Sequence, residues 1–100
     1  GTPIVSTAEG VVEKINFSAN GLGNNVTIRH KYGFLTRYGH LDKVFVQRGQ
    51  RVKRGGVIGH MGSTGLSTGS HVHYEVWIGD QVVDPVSFLD INNEIVNKIK

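Results

Sequence analysis

The sequence predicts a single, mainly β domain of short antiparallel strands, with a short helix at its C-terminal end. Apolar and polar residues alternate with a period of two along several segments, as expected of strands that bury one face. Fourteen glycines against two prolines indicate many tight turns between those strands. Apolar residues at helical spacing occur only near the end of the chain, so helices contribute little to the predicted fold.

The strands follow from this alternation and from the turn residues between the apolar segments. The strongest is 71–78, which is followed by Gly79-Asp80 and then by 81–83, an order typical of a β-hairpin. A segment rich in Gly, Ser and Thr, 62–70, separates that hairpin from the preceding strands and predicts an irregular loop. In chain order the predicted strands are 11–17, 25–30, 34–40, 44–46, 51–53, 57–61, 71–78 and 81–83.

Glycines recur at regular spacing in the middle of the chain. The pattern Val46-x-x-Gly49-x-x-Val52-x-x-Gly55, followed by Ile58-Gly59, is typical of barrel-sandwich hybrid folds, including the biotinyl and lipoyl carrier domains. Those carriers present a lysine at the tip of a hairpin, and no such lysine is evident here. The pattern therefore favours the architecture without the carrier function.

The end of the chain predicts the one helix. Asp84 is a suitable cap and Pro85 a suitable first helical residue. Ile91, Ile95 and Ile99 then recur every four residues, as on the apolar side of an amphipathic helix. We therefore expect one domain over residues 1–90 and a short helical tail over 91–100.

Composition and charge exclude several classes of function. The chain has 100 residues and no cysteine, so disulfides, thiolate metal sites and cysteine nucleophiles are excluded, and any metal must be held by histidine and carboxylate. The net charge of +3 arises largely from basic residues within 43–54, which form either a solvated loop face or a surface that attracts a polyanion. The one aromatic residue in this stretch, Phe45, does not interleave with the charges as a stacking surface would require, which argues against nucleic acid. No apolar run is long enough for a transmembrane segment.

The histidines are the most informative residues for chemistry. Because side chains alternate along a strand, His71, His73, Glu75 and Trp77 are predicted to share one face. The opposite, core-facing side is predicted to carry Val72, Tyr74, Val76 and Ile78. A third histidine, His40, ends another predicted strand, on which Thr36, Tyr38 and His40 are expected to point the same way. Neutral imidazole is a good zinc ligand, and a nearby imidazole without a metal can move protons.

Eight segments, in order along residues 1–85, resemble the zinc metallopeptidases of the lysostaphin/LytM type. They are Gly1-Thr2-Pro3-Ile4, Ala8-Glu9-Gly10-Val11-Val12, Gly23-Asn24-Asn25-Val26-Thr27-Ile28-Arg29-His30, Thr36-Arg37-Tyr38-Gly39-His40-Leu41, Val52-x-x-Gly55-x-x-Ile58-Gly59, Gly62-Ser63-Thr64-Gly65-Leu66-Ser67-Thr68-Gly69, His71-Val72-His73-Tyr74-Glu75 and Asp84-Pro85. The resemblance implies an antiparallel β fold of the duplicated hybrid kind, with a groove over the sheet. It also implies a zinc endopeptidase that cleaves stem peptides or cross-links of bacterial peptidoglycan, and so an exported protein of the cell envelope.

The resemblance also implies roles for single residues. His73 would ligate zinc, while His40 and His71 would flank the zinc-bound water as general base and transition-state stabiliser. Asn25, Tyr38 and the loop from Thr64 to Ser67 would line the groove and bind substrate. His30 and His60 match no catalytic position and are expected to be structural or on the surface.

One departure from the family pattern limits these implications. The family's His-x-x-x-Asp motif, which precedes the Gly-Thr-Pro segment and supplies two further zinc ligands, is not in this sequence. We expect an upstream segment or a partner chain to complete the zinc site, and this chain alone to be inactive or weakly active. The alternative is a catalytically inactive LytM-like module that binds cell wall or activates another wall hydrolase. A phosphocarrier of the sugar phosphotransferase type is disfavoured, because the His-x-His-Tyr-Glu run does not fit its phosphorylated histidine.

Overall fold

The fold is an antiparallel β-sheet, which confirms the fold class predicted from the sequence. The computed structural model describes residues 2–64 and 72–83. Its strands are β1 (Pro3–Val5), β2 (Gly10–Ser18), β3 (Gly23–Arg29), β4 (Leu35–Val44), β5 (Arg51–Val52), β6 (Val57–Met61), β7 (His73–Ile78) and β8 (Gln81–Val83). A 3-10 turn, Lys31–Gly33, joins β3 to β4. The predicted helical tail at 91–100, with its start at Asp84-Pro85, lies outside the described residues.

Sequential hairpins build most of the sheet. β2 pairs with β3 and β3 with β4, all antiparallel, and β7 and β8 form the hairpin predicted around Gly79-Asp80. The predicted strand at 44–46 is wrong. Val44 is the last residue of β4, and the chain then leaves the ladder so that Val46 enters the core. Among the described residues, no helix is long and apolar enough to cross a membrane.

β4 changes its partner halfway along one edge. Its first half, Leu35 to Gly39, pairs with β7, whereas its second half, from Leu41 to Val44, pairs with β6. Its other edge pairs with β3 from Leu35 to Leu41. The strands β6 and β7 therefore diverge at residue 40, and this fork opens one face of the sheet at the position of His40.

The core lies on the other face of the sheet. It consists of Val12, Val26, Ile28, Tyr38, Leu41, Val46, Val52 and Ile58, all at most 6% exposed. Val72 and Tyr74 pack against this cluster and Val76 is fully buried, which confirms the core-facing side predicted for β7. Ile78 is the exception, because it lies at the end of the strand and is 54% exposed.

A chain of polar groups runs through this core from His30. Since the Glu9 carbonyl can only accept, His30 Nδ1 donates to it at 2.8 Å, and the neutral ring accepts at Nε2 from the Thr36 hydroxyl at 2.6 Å. Thr36 Oγ1 in turn lies 3.0 Å from the hydroxyl of Tyr38. The His30 ring also stacks on Phe34, with centroids 4.6 Å apart. His30 is therefore a structural residue that ties the start of β2 to β4.

We expect His30 to make the stability of the protein depend on pH. Burial lowers the pKa of His30, and the hydrogen bond to the Glu9 carbonyl only partly opposes this effect. The folded state thus binds this proton less readily than the unfolded chain, whose histidine pKa is about 6.5. The stabilising effect of neutral His30 is complete above the pKa of the unfolded state. It is lost as the pH falls through the lower pKa of the folded state.

Urea denaturation at about pH 7 and pH 5 tests this expectation with His30→Gln, which cannot titrate. At the higher pH the variant should be less stable by about 1–3 kcal/mol, because buried partners lose their hydrogen bonds. At the lower pH the difference in free energy of unfolding between the two proteins should be smaller, because protonation of His30 destabilises only the wild type. An equal difference in free energy of unfolding at the two pH values would contradict the claim that His30 makes stability depend on pH.

Candidate active site

His40 occupies an unusual backbone position at the fork. One residue of β3, Asn25, faces two residues of β4, Gly39 and His40, between the flanking pairs Asn24–Leu41 and Val26–Tyr38. This β-bulge is accompanied by a left-handed backbone at His40, with φ of 59°. Left-handed backbone is uncommon outside glycine, although histidine tolerates it better than most residues.

The bulge reverses the predicted direction of the His40 side chain. Thr36 and Tyr38 face the core, where they are 0% and 2% exposed, and Leu41 is in the core as well. The one extra residue between Tyr38 and Leu41 turns His40 to the opposite face, where its ring meets that of His73. The expectation that Thr36, Tyr38 and His40 point the same way is therefore wrong.

Hydrogen bonds to Thr64, Leu22 and Gly62 help to fix the position of His40. Its Nδ1 donates to the Thr64 carbonyl at 2.7 Å, its backbone N–H donates to the Leu22 carbonyl, and its carbonyl accepts from Gly62 N–H at 3.1 Å. Because a carbonyl only accepts, Nδ1 carries the proton in the neutral ring, and the basic lone pair is on Nε2. The side chain is thus held in the tautomer that can accept a proton at Nε2.

Thr64 is in turn held by the backbone of two neighbouring strands. Its hydroxyl donates to the Leu41 carbonyl at 2.6 Å and accepts from Asn24 N–H at 3.1 Å. Gly23 lies directly against it, since a Cβ atom at Gly23 would overlap the carbonyl carbon and oxygen of Thr64. Gly23 also has a positive φ of 61°. Glycine at this position therefore allows the approach that brings the Thr64 carbonyl to His40.

We expect Gly23→Ala to destabilise the protein by about 2–5 kcal/mol, from left-handed backbone strain and from overlap with Thr64. The matched control is Gly33→Ala, where φ is 80° and nothing lies within 4 Å of a Cβ atom. That control isolates the backbone strain, about 1–2 kcal/mol. Urea denaturation compares the two variants, and equal losses would show that the contact with Thr64 is unimportant.

His73 faces His40 across the fork. It pairs with Gly39 through the backbone, and the two imidazole rings lie 6.0 Å apart between centroids at an angle of 88°. The His73 side chain is 43% exposed, so it is accessible from the groove. The structure thus brings His40 and His73 together on one face, while His71 and Ser67 lie outside the described residues.

His73 belongs to a hydrogen-bonded row along β7. Its Nε2 lies 3.0 Å from Glu75 Oε2, and Trp77 Nε1 donates to Glu75 Oε1 at 3.0 Å. Arg37 lies 3.6 Å from the same carboxylate and 5.2 Å from the centroid of the Trp77 ring. Burial alone would raise the pKa of Glu75, but the hydrogen bonds from Trp77 and His73 and the nearby positive charge of Arg37 outweigh it and lower that pKa.

The predicted substrate-binding residues occupy different surroundings. Asn25 is 6% exposed, donates to the Gly23 carbonyl at 3.0 Å and, with Arg37, borders an open depression of about 410 Å³. Thr64 lies at the groove but uses both its hydroxyl and its carbonyl to hold the backbone and His40. Tyr38 lies in the core on the face opposite to His73, with its hydroxyl 3.1 Å from Thr7 Oγ1. Its side chain has no access to the groove.

Sequence reasoning did not assign site roles to Arg37, Glu75, Trp77 or Gly23. The period-two register placed Glu75 and Trp77 on the face of His73, which was a usable signal for both. Arg37 becomes their neighbour only through the pairing of β4 with β7. Gly23 gave no local signal, because its neighbour Thr64 is distant in the sequence.

A complete metal site is not formed by the described side chains. Within residues 2–64 and 72–83, no group of three or more His, Asp or Glu side chains is arranged to hold a metal ion. His73 is the one predicted metal ligand, and it is present with an exposed ring on the groove face.

Comparison with known sequences identifies close relatives. The sequence model of peptidase family M23 matches residues 1–85 of the chain. The DD-carboxypeptidase/endopeptidase Mpg of Neisseria meningitidis is 48% identical over 87 residues, which are 87% of this chain and 20% of that protein. The chain spans about a fifth of the length of the curated relatives it matches.

Solved structures share the fold. A zinc-containing peptidase from Vibrio cholerae has a TM-score of 0.76 and 40% identity, over 84% of this chain and 26% of that one. The catalytic domain of the antimicrobial peptidase lysostaphin from Staphylococcus simulans has a TM-score of 0.82 and 34% identity, over 90% of this chain and 71% of that one.

Proposed function

Because this chain belongs to peptidase family M23, we propose that it acts as a zinc-dependent endopeptidase on the peptides of bacterial peptidoglycan. Its relatives include enzymes described as peptidoglycan DD-endopeptidases and as a DD-carboxypeptidase/endopeptidase. Membership of this family shows that the chain is related to hydrolases. We propose its substrate and its metal.

The observation that carries the proposal is the pairing of His40 with His73 at the fork of the sheet. His40 is buried and has a strained, left-handed backbone, and hydrogen bonds to Thr64, Leu22 and Gly62 help to hold it there. Its ring then meets an exposed histidine on the same face. Such an arrangement adds nothing to the core, which lies on the other face, and it is typical of a catalytic site.

The residues present fit a zinc ion in part. His73 offers a neutral nitrogen ligand of the type that zinc prefers, and its exposure leaves room for a metal on the groove face. A catalytic zinc takes three protein ligands and keeps an open position. The remaining ligands are proposed to come from an upstream segment or a partner chain, as expected from the sequence.

His40 is proposed to handle the proton in the reaction. Zinc, when bound, supplies Lewis-acid activation of water and of the scissile carbonyl. His40 Nε2 accepts the proton that the attacking water loses, and the Thr64 carbonyl stabilises the resulting imidazolium through Nδ1–H. His71 is predicted on the same strand face as His73. It is proposed to act beside His40 by stabilising the transition state.

Substrate is proposed to bind along the groove face beside the two histidines. Asn25, which lies opposite Gly39 and His40 in the sheet, and Arg37 border an open depression, so polar and anionic groups of a peptide would be recognised there. The loop from Thr64 to Ser67 is proposed to form the neighbouring wall. A peptidoglycan substrate places the protein in the cell envelope.

The test is digestion of purified peptidoglycan by the protein in its natural length, followed by liquid chromatography and mass spectrometry of the soluble products. We expect peptides with new amino and carboxyl ends, whose release stops with a zinc chelator and resumes with added zinc. Release that persists at the same rate with the chelator would refute a zinc enzyme.

Sedimentation of the same mixtures separates the alternative of a wall-binding module. Protein that pellets with peptidoglycan but releases no peptide with zinc present would support the inactive module and contradict the endopeptidase. Active cleavage leaves a progressively smaller pellet, which absorbance of the suspension follows directly.

A further inference from the structure

Glu75 is held from three sides on the groove face. One carboxylate oxygen faces His73 Nε2 at 3.0 Å, while the other accepts from Trp77 Nε1–H at 3.0 Å and lies 3.6 Å from Arg37. The Glu75 side chain is only 21% exposed, so these contacts are partly shielded from water. Two of the three neighbours, Arg37 and Trp77, can only donate hydrogen bonds, and they favour the ionised carboxylate. An ionised carboxylate has no proton to donate, so Glu75 accepts from the third neighbour, His73.

An acceptor at this position determines where His73 carries its proton. If Glu75 accepts from His73 Nε2, the neutral ring has Nε2–H and presents its lone pair on Nδ1. A histidine that binds a metal needs a deprotonated nitrogen, and a partner on the other nitrogen fixes both tautomer and ring orientation. We propose that Glu75 is a positioning residue that holds His73 as the Nε2–H tautomer and thereby directs Nδ1 toward the metal.

Arg37 extends this arrangement across three strands. Its Nε donates to Thr27 Oγ1 at 3.2 Å, and its guanidinium lies over the Trp77 ring. Thr27 on β3, Arg37 on β4 and Glu75 on β7 are consecutive cross-strand partners, so backbone pairing fixes their spacing. The carboxylate is therefore anchored to the sheet instead of relying on its own flexible side chain.

The tautomer is a property of the metal-free chain and is measured without activity. Long-range proton–nitrogen NMR spectra of the histidine-labelled, zinc-free chain at about pH 8, above the ordinary histidine pKa of about 6.5, distinguish Nε2–H from Nδ1–H rings. We expect Nε2–H for His73 in the wild type and in Glu75→Gln, whose amide oxygen still accepts. Glu75→Leu, of similar size without an acceptor, should give a mixture, with His60 as the internal control.

Calorimetry of the natural-length protein adds the metal. The step to zinc rests on the proposed function, and we expect Glu75→Leu to weaken zinc binding about 10–100-fold, with a smaller loss in Glu75→Gln. A wild-type His73 with Nδ1–H, a tautomer unchanged in Glu75→Leu, or unchanged zinc affinity in that variant would each overturn the positioning role. If instead the tautomer and zinc affinity follow Glu75 but no peptidoglycan is cleaved, the positioning role stands and the proposed function fails.

Discussion

Replacing His40 with asparagine is expected to lower the rate of peptidoglycan cleavage about 100- to 10,000-fold, the usual contribution of a general base. Asparagine tolerates the left-handed backbone found at His40 better than alanine does, so the bulge and the fold should persist. Its amide cannot take a proton from water at neutral pH. Zinc affinity should change little, since the proposed ligand is His73 and the His40 ring is 6.0 Å from it.

The matched control for this experiment is His60→Ala. His60 lies on β6 and packs its ring edgewise against Phe45, with centroids 4.8 Å apart. Activity near the wild-type level is expected there, which would exclude a general effect of losing one histidine. Rates in His40→Asn within a few-fold of wild type, with correctly folded protein, would remove His40 from the mechanism.

Replacing His73 with alanine should abolish both zinc binding and cleavage. Loss of a direct ligand weakens binding by more than the 10–100-fold typical of an outer partner. The fold should survive, because the His73 side chain is 43% exposed and the core lies on the other face of β7. The expected pattern therefore differs from that of His40→Asn in zinc binding, because His40→Asn should keep the metal and lose only the rate of cleavage.

Calorimetric titration with zinc and the cleavage assay, run on the same protein samples, distinguish the two patterns. Circular dichroism of each sample verifies that the sheet is intact. Full zinc affinity in His73→Ala would show that the metal is held elsewhere, and His73 would then lose its assigned role even if cleavage ceased.

The sequence was most informative where a local rule applies over several residues. Period-two alternation placed His73, Glu75 and Trp77 on one face and Tyr74 and Val76 on the other, and the hydrogen bonds and the core confirm both sides. The hairpin at 79–80 follows a similar rule, since its turn residues lie between two alternating segments.

The same rule failed at His40, for a physical reason. A β-bulge inserts one residue into a strand and resets the alternation, and a single left-handed residue leaves no periodic trace in the sequence. Tyr38 and His40 were therefore predicted to point the same way, although Tyr38 lies in the core and His40 faces His73 on the other side of the sheet. The partner change of β4 between β7 and β6, which creates the fork, depends on long-range pairing that local patterns do not encode.

Contacts between distant segments escaped prediction for the same reason. Arg37 meets Glu75 only through strand pairing, and Gly23 meets Thr64 only because the fork brings the loop after β6 back to β3. The family resemblance supplied the identity of the histidines, while the structure supplied the groups that hold them.

The most direct test of the account is the position of zinc in crystals of the natural-length protein, located by anomalous scattering. We predict a peak about 2.0–2.1 Å from Nδ1 of His73, with His40 nearby but outside coordination distance. A zinc ion bound through His40, or one that makes no contact with His73, would contradict the division of roles on which the account depends.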